Sequence, residues 1–101
     1  MKKTKPEKPL FVPLKTRFFR EFQNGLKYVE YRPEGPQWNA KVCRVGRDVV
    51  LSNGYGKQER MTGRIVSYQS EPIASFIPGW VDCYGQKQGP VACIGIQLNR
   101  S

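Results

Sequence analysis

At 101 residues, with 39% hydrophobic, 12% aromatic and 25% charged residues, the chain has the composition of one ordinary globular domain and not of a disordered segment. Its 17 Lys+Arg against 8 Asp+Glu leave a net charge of +9, and it holds no histidine. That absence excludes Ser-His-Asp and Cys-His arrangements, the usual zinc hydrolase ligands and the histidine pair of a typical metal-free ribonuclease, so any catalysis must use Lys, Glu, Asp, Tyr, Ser, Thr or Cys.

Cys43, Cys83 and Cys93 are odd in number and show no CxxC spacing, which argues against a disulfide framework and a structural zinc. They are expected as small buried or semi-buried residues, and neither metal nor cofactor is expected. No apolar run approaches the roughly 18 residues that span a bilayer, and no apolar segment backs the basic start "MKKTKPEKPL", so the expected compartment is the cytoplasm, without a membrane partner.

Residues 1–9, polar or proline after Met1, are read as a disordered basic arm, with a single domain over 10–101. "LFVPLK" suits a strand at a sheet edge because of Pro13. In "TRFFREFQNG", Phe18, Phe19, Phe22 and then Leu26 fall at helical spacing, with Thr16 as N-cap and Gly25 as the left-handed stop. The three phenylalanines are read as core, since they share one helical face with no basic residue interleaved at that spacing.

From Lys27 to Arg32 the alternation is that of a strand, with Val29 and Tyr31 on one face and Tyr28, Glu30 and Arg32 on the other. "PEGPQWNA" is a loop, "RDVVLSNG" a strand ending in a turn, and "NGYGK" a hairpin connection to "RMTGRIVSYQS". In this last strand Met61, Gly63 and Ile65 are expected opposite Thr62, Arg64, Val66 and Tyr68. Residues 71–90 read as irregular, and "VACIGIQL" closes the domain with Ala92, Ile94, Ile96 and Leu98 on one side. About five strands and one main helix near the N-terminus indicate an α+β class, a small β-barrel-like domain and not a doubly wound parallel sheet.

The charge falls in two blocks. Residues 1–20 carry seven basic and one acidic residue and residues 41–64 six basic and two acidic, while 21–40 stand at −1 and the remainder is neutral. Such blocks suit a polyanion, whose bound counterions are released on contact; the alternative is a solvated face that promotes solubility. The Gly54-Tyr55-Gly56-Lys57 turn lacks the third glycine of GxGxxG and the spacing of a Walker loop, so a structural Asn-Gly turn is favoured. Tyr55, Lys57 and Arg60 near its tip would nevertheless suit a phosphate and a stacked base.

The stretch "GLKYVEYR" threads Lys27, Glu30 and Arg32 through apolar and aromatic positions, and these charges are either an exposed ion-pair set or a site. Strict alternation puts Lys27 on the other face from Glu30 and Arg32, but it sits at the helix-to-strand junction, where alternation need not yet hold. The pattern G-x-K-x-x-E-x-R, here Gly25, Lys27, Glu30 and Arg32 directly after a short amphipathic helix, resembles the signature of the ASCH domain family, whose fold is similar to the PUA β-barrel. "FVPLKTRFFREFQNG" looks like the opening strand and aromatic-rich helix of small stand-alone members, and "VVLSNGYGK" like their V-x-x-x-N-G-Y strand and turn. The resemblance covers roughly residues 10–70.

The resemblance implies a cleft beside the barrel, lined by the motif and suited to RNA or a nucleotide-like ligand. The family includes presumed RNA-binding regulators, a ribonuclease branch and a branch of amidohydrolases acting on acylated cytidine. In the last, a threonine nucleophile occupies the position of Glu30, and a carboxylate does not replace a hydroxyl by the same route.

The first expectation is therefore a nucleic-acid-binding module, RNA favoured over DNA, whose site draws on Lys27, Tyr28, Glu30, Arg32, Trp38, Tyr55, Lys57 and Arg60. Lys27 and Arg32 would hold phosphate or base edges, Glu30 would orient them, and Tyr28, Trp38 and Tyr55 would stack. The alternative is a small enzyme acting on RNA or a modified nucleoside, with Lys27 and Glu30 as its catalytic residues. A third reading is a protein partner docked on Phe76, Trp80 and Tyr84, aromatics that may equally cover the open end of the barrel as core.

Overall fold

The computed structural model describes residues 7–56, 58–72, 77, 80–84 and 89–100. Five strands and two helices run in the order β1 (Leu10–Leu14), α1 (Thr16–Gln23), β2 (Val29–Pro33), β3 (Asp48–Asn53), β4 (Arg60–Glu71), α2 (Trp80–Tyr84) and β5 (Val91–Leu98). The strands form one sheet in the order β1-β3-β4-β5-β2, curled into a half-barrel. β1 and β3 are parallel and all other neighbours antiparallel. The α+β class with five strands and an early main helix is as expected. The five-residue α2 is not: three prolines and three glycines over 71–90 hide it.

Chain connectivity explains the curl. β1 and β2 lie at opposite edges of the sheet yet are joined only by α1 and short connectors. A flat sheet would hold these edges about 19 Å apart at 4.8 Å per strand step, whereas eight helical residues span about 12 Å. The sheet bends around the helix, and Phe19 and Phe22 fill the concave side against Val12, Leu14, Val49, Leu51, Ile65, Ile94 and Ile96. Phe18 is only half-buried and Leu26 is exposed, so the apolar face of the helix ends one turn earlier than its periodicity suggests.

The helix begins without the expected cap. Lys15 occupies the N-cap position and no side chain caps it, while the Thr16 hydroxyl donates instead to Asn53 Oδ1 at 2.7 Å, tying the helix start to the end of β3. Its C-terminus is as expected: Gly25 adopts φ +77°, and the N–H groups of Gly25 and Leu26 donate back to Phe22 O and Glu21 O at 3.2 and 2.8 Å. This paired closure satisfies two orphan carbonyls and turns the chain toward Lys27.

A bulge between Ile65 and Ser67 breaks the alternation of β4. Met61 and Ile65 face the core before it and Tyr68 faces the core after it, so Tyr68 stands opposite to the face expected and Val66 is left exposed. The extra residue shifts every later side chain to the other face. Across the ladder Gly95 pairs with Ser67, whose hydroxyl a Cβ at Gly95 would overlap. β5 presents Ala92, Ile94, Ile96 and Leu98 to the main core as read from its pattern, while Val91 and Cys93 join Ile77, Trp80, Tyr31 and Tyr84 in a second cluster under α2.

Of the expected basic arm, residues 1–6 lie outside the described residues. Glu7 is ion-paired with Arg44 and lies 3.6 Å from Arg47, whose guanidinium also donates to Lys8 O at 3.0 Å. All three cysteines are free, Cys43 buried and the other two partly so.

Because Gly25 alone carries the left-handed turn between helix and motif strand, Gly25→Ala is expected to cost about 1–2 kcal/mol in urea unfolding, although open space surrounds its Cα.

Candidate functional site

The two sheet edges that the curl brings toward each other enclose a cleft of about 330 Å³. Pro13, Leu14 and Lys15 line it from the β1 side, Lys27, Glu30, Tyr31 and Arg32 from the β2 side, and Phe18 from α1. Tyr55 stands at the β3–β4 turn, and Ile77, Trp80, Cys83 and Tyr84 close the remaining wall. Its volume is at the lower end of the roughly 300–1,000 Å³ of small-molecule sites.

Glu30 is the centre of the motif. Its side chain is 8% exposed, and its two oxygens meet different cations: Arg32 Nε donates to Oε2 at 2.7 Å, and Lys27 Nζ lies 3.6 Å from Oε1. A carboxylate this deep requires such partners, since an isolated charge there would lose its hydration uncompensated. Lys27 joins the same cluster because it sits in the junction before β2 begins, as expected from its place ahead of the regular alternation. Its ammonium is ringed by Phe18, Phe22 and Tyr31 at 5.3, 5.6 and 5.0 Å, each presenting π-electron density to the cation.

Arg32 is committed on three sides. Beyond Glu30, its Nη2 donates to the Pro13 carbonyl on β1, and its guanidinium lies 4.7 Å from the Trp38 ring. β1 and β2 are not paired through their backbones, so this side chain bridges the sheet edges. Trp38, expected as a stacking residue, is half-buried and packs against the core with Arg32 over its ring. Its role here is to hold the bridge.

The other expected residues are distributed unevenly. Tyr55 is at the cleft mouth and is 82% exposed. Tyr28, 71% exposed, lines a separate depression with Val29, Val66 and Gly95. Arg60 is on the outer surface over Phe11, and Lys57 lies outside the described residues. Of the three proposed docking aromatics, Trp80 is buried in the second cluster, Tyr84 is partly buried beside it with ring centroids 4.5 Å apart, and Phe76 lies outside the described residues.

Tyr84, named with Trp80 either as docking surface or as cover for the barrel end, forms with Tyr31 an aromatic wall of the cleft, a place the sequence did not assign to either. Burial raises the Tyr31 hydroxyl above its ordinary range and pushes that of Tyr84 up to about 12. Tyr84 Oη reaches Tyr31 O at the long distance of 3.5 Å. Burial also raises the Cys43 and Cys93 thiols, which keeps them protonated and unreactive. Just past the end of β2, Tyr68 donates to Glu34, and Ser70 does so at 2.7 Å. These two bonds, Tyr68 first, hold the Glu34 carboxyl below its usual value.

Among the described residues no group of His, Cys, Asp and Glu is placed to hold a metal ion, and no helix is long and apolar enough to cross a membrane. Compared with known proteins, the chain matches no protein-family model and no curated protein.

Arg32→Ala leaves the buried Glu30 carboxylate with Lys27 alone and cuts the bridge between the edges, at an expected cost of about 3 kcal/mol in urea unfolding. Arg32→Lys is expected to recover only part of it, because an ammonium cannot serve Glu30 and Pro13 O with a planar fork. Tyr84 gives a pH signature. Its proton is held more tightly in the folded chain, so stability is complete below the ordinary tyrosine range and falls as pH rises from about 10 toward 12. The fall of thermal melts across that window is expected to be shallower in Tyr84→Phe, the remainder coming from the Tyr31 and Tyr68 hydroxyls and the Cys43 and Cys93 thiols, which burial also raises.

Proposed function

We propose that the chain is a cytoplasmic nucleic-acid-binding module of the ASCH type on a PUA-like half-barrel, and that its cleft takes a base or nucleotide from single-stranded RNA. The observation that carries this reading is the composition of the cleft: cations and one buried carboxylate set among aromatic walls. Lys27 is cationic yet held by rings and by one carboxylate oxygen at 3.6 Å, a distance that leaves its N–H donors able to turn toward a phosphate or a base carbonyl. Glu30 sets the position of both cations, and Phe18 and Tyr31 offer ring surface. Arg32 contributes chiefly as the strut that keeps the cleft in shape. Single-stranded RNA fits this chemistry better than a duplex, because only an unstacked base can enter a recess of this size.

Lys15, just before α1, adds positive potential at the cleft wall, and the net charge of +9 draws a polyanion toward the whole surface.

The enzyme reading is favoured by one observation, the Lys27–Glu30 pair inside an enclosed cleft. Arg32 holds Glu30 Oε2 at 2.7 Å and Lys27 faces Oε1 at 3.6 Å, however, so the carboxylate already serves to place the two cations. Binding is therefore the stronger conclusion.

The experiment follows gel shift and cleavage of a labelled single-stranded RNA together. Parent protein is expected to bind without cutting. Contact with about three phosphates would weaken affinity about twentyfold between roughly 50 and 200 mM salt. Lys27→Ala is expected to bind at least about tenfold more weakly at equal salt, as for loss of one charge-assisted contact. Cleavage that disappears in the Lys27→Ala/Glu30→Gln double variant would make the protein an enzyme. Binding insensitive to Lys27→Ala would remove the cleft from the account.

A further inference from the structure

The β3–β4 turn presents more aromatic surface than the cleft uses. Tyr55 lines the cleft mouth and also stands 6.3 Å, centroid to centroid, from the ring of Phe11 on the outer surface of β1. Phe11 is 37% exposed, and the Arg60 guanidinium lies 5.3 Å from its ring. Among the described residues no carboxylate pairs with Arg60, whereas Arg20, Arg32, Arg44 and Arg64 each have one. One ring largely exposed and one partly exposed thus stand beside a cation at the surface. Such a group has the make-up of a stacking platform for a base with a phosphate beside it.

Tyr55 makes this surface continuous with the cleft. Between the two runs the β1 edge, where Pro13 lines the cleft and offers no N–H that a ligand crossing it would have to satisfy. We propose that Phe11, Tyr55 and Arg60 hold the nucleotide adjoining the one in the cleft, so that the ligand is a single-stranded oligonucleotide, a dinucleotide or longer, and not a free nucleoside. This extends the cleft reading given above and rests on it. The base of the second nucleotide lies on Phe11 and Tyr55 irrespective of its identity, since every base has a π-face. Arg60 meets a phosphate of that same nucleotide. Any sequence preference then resides in the cleft, where polar groups face the ligand edge-on, and not on the platform.

The test measures binding of a fluorescein-labelled single-stranded RNA hexamer of mixed sequence, with the four ribonucleoside 5′-monophosphates as competitors, to parent protein, Phe11→Ala, Phe11→Leu and Lys27→Ala. Phe11→Leu keeps the apolar bulk and guards against a folding defect, which circular dichroism checks in every variant. The expected result is a loss of about tenfold in hexamer affinity in both Phe11 variants, the range for one stacked base, while competition by monophosphates is unchanged relative to parent. Hexamer binding that survives both Phe11 variants but is lost in Lys27→Ala overturns the platform and leaves the cleft reading standing. Binding indifferent to Lys27→Ala overturns the cleft reading, and the platform with it. Monophosphates that bind parent as tightly as the hexamer overturn the requirement for a second nucleotide.

Discussion

β1 and β2 are the two edges of one sheet and are separated in sequence by little more than an eight-residue helix, yet no backbone ladder joins them. Among the described residues the Arg32 guanidinium spans the gap, donating to a β1 carbonyl with Nη2 and to the buried Glu30 carboxylate with Nε. Only arginine offers planar, divergent donors that can serve a neutral carbonyl and a carboxylate at once. The acceptor is the carbonyl of Pro13, so the bridge is made at the position where β1 could not have extended a ladder with an N–H. The cleft, its two motif cations and its ring-lined walls all depend on the edges being held at that distance.

A strongly basic chain need not leave its charge without internal use. Here much of it is structural: Arg20 is doubly bonded to Glu59, which Asn53 also holds, and Arg44 and Arg47 gather Glu7. Arg100 donates to Phe22 O and Gln23 O at the C-terminal end of α1, where cations are favoured. The hydrogen bonds from Arg20 and then Asn53 hold the Glu59 carboxyl below its usual value. Among the described residues, then, much of the arginine charge is used in internal contacts, whereas Arg60 has no carboxylate beside it and Lys27 lines the cleft.

The elements were legible where local rules decide them. The Phe18–Phe19–Phe22 spacing and Gly25 mark the helix and its end, and the strand limits of β3 and β5 follow from their β-branched runs. The three motif charges Lys27, Glu30 and Arg32 meet around one carboxylate, as their spacing with Lys27 ahead of the regular alternation allows. What local pattern could not give was anything decided by pairing. The bulge at Ile65/Ser67 reverses the side of Tyr68, the curl selects Pro13 as partner for Arg32, and α2 forms in a proline- and glycine-rich stretch because Trp80 has a core of Ile77 and Val91 to enter. Trp38 and Tyr28 looked equivalent as exposed aromatics, yet one supports the bridge and the other faces a different depression.

An open half-barrel has two strand edges that a second molecule could extend into a larger sheet. Closed barrels have no such liability, and open sheets commonly guard against it with proline, inward-pointing charge or a covering element. This fold uses all three: Pro13 interrupts β1, Glu30 and Arg32 place charge along β2, and α1 crosses between them. The motif charges therefore lie both in the cleft and along an open sheet edge. Neutralising them would remove charge from the cleft and inward-pointing charge from that edge in the same step.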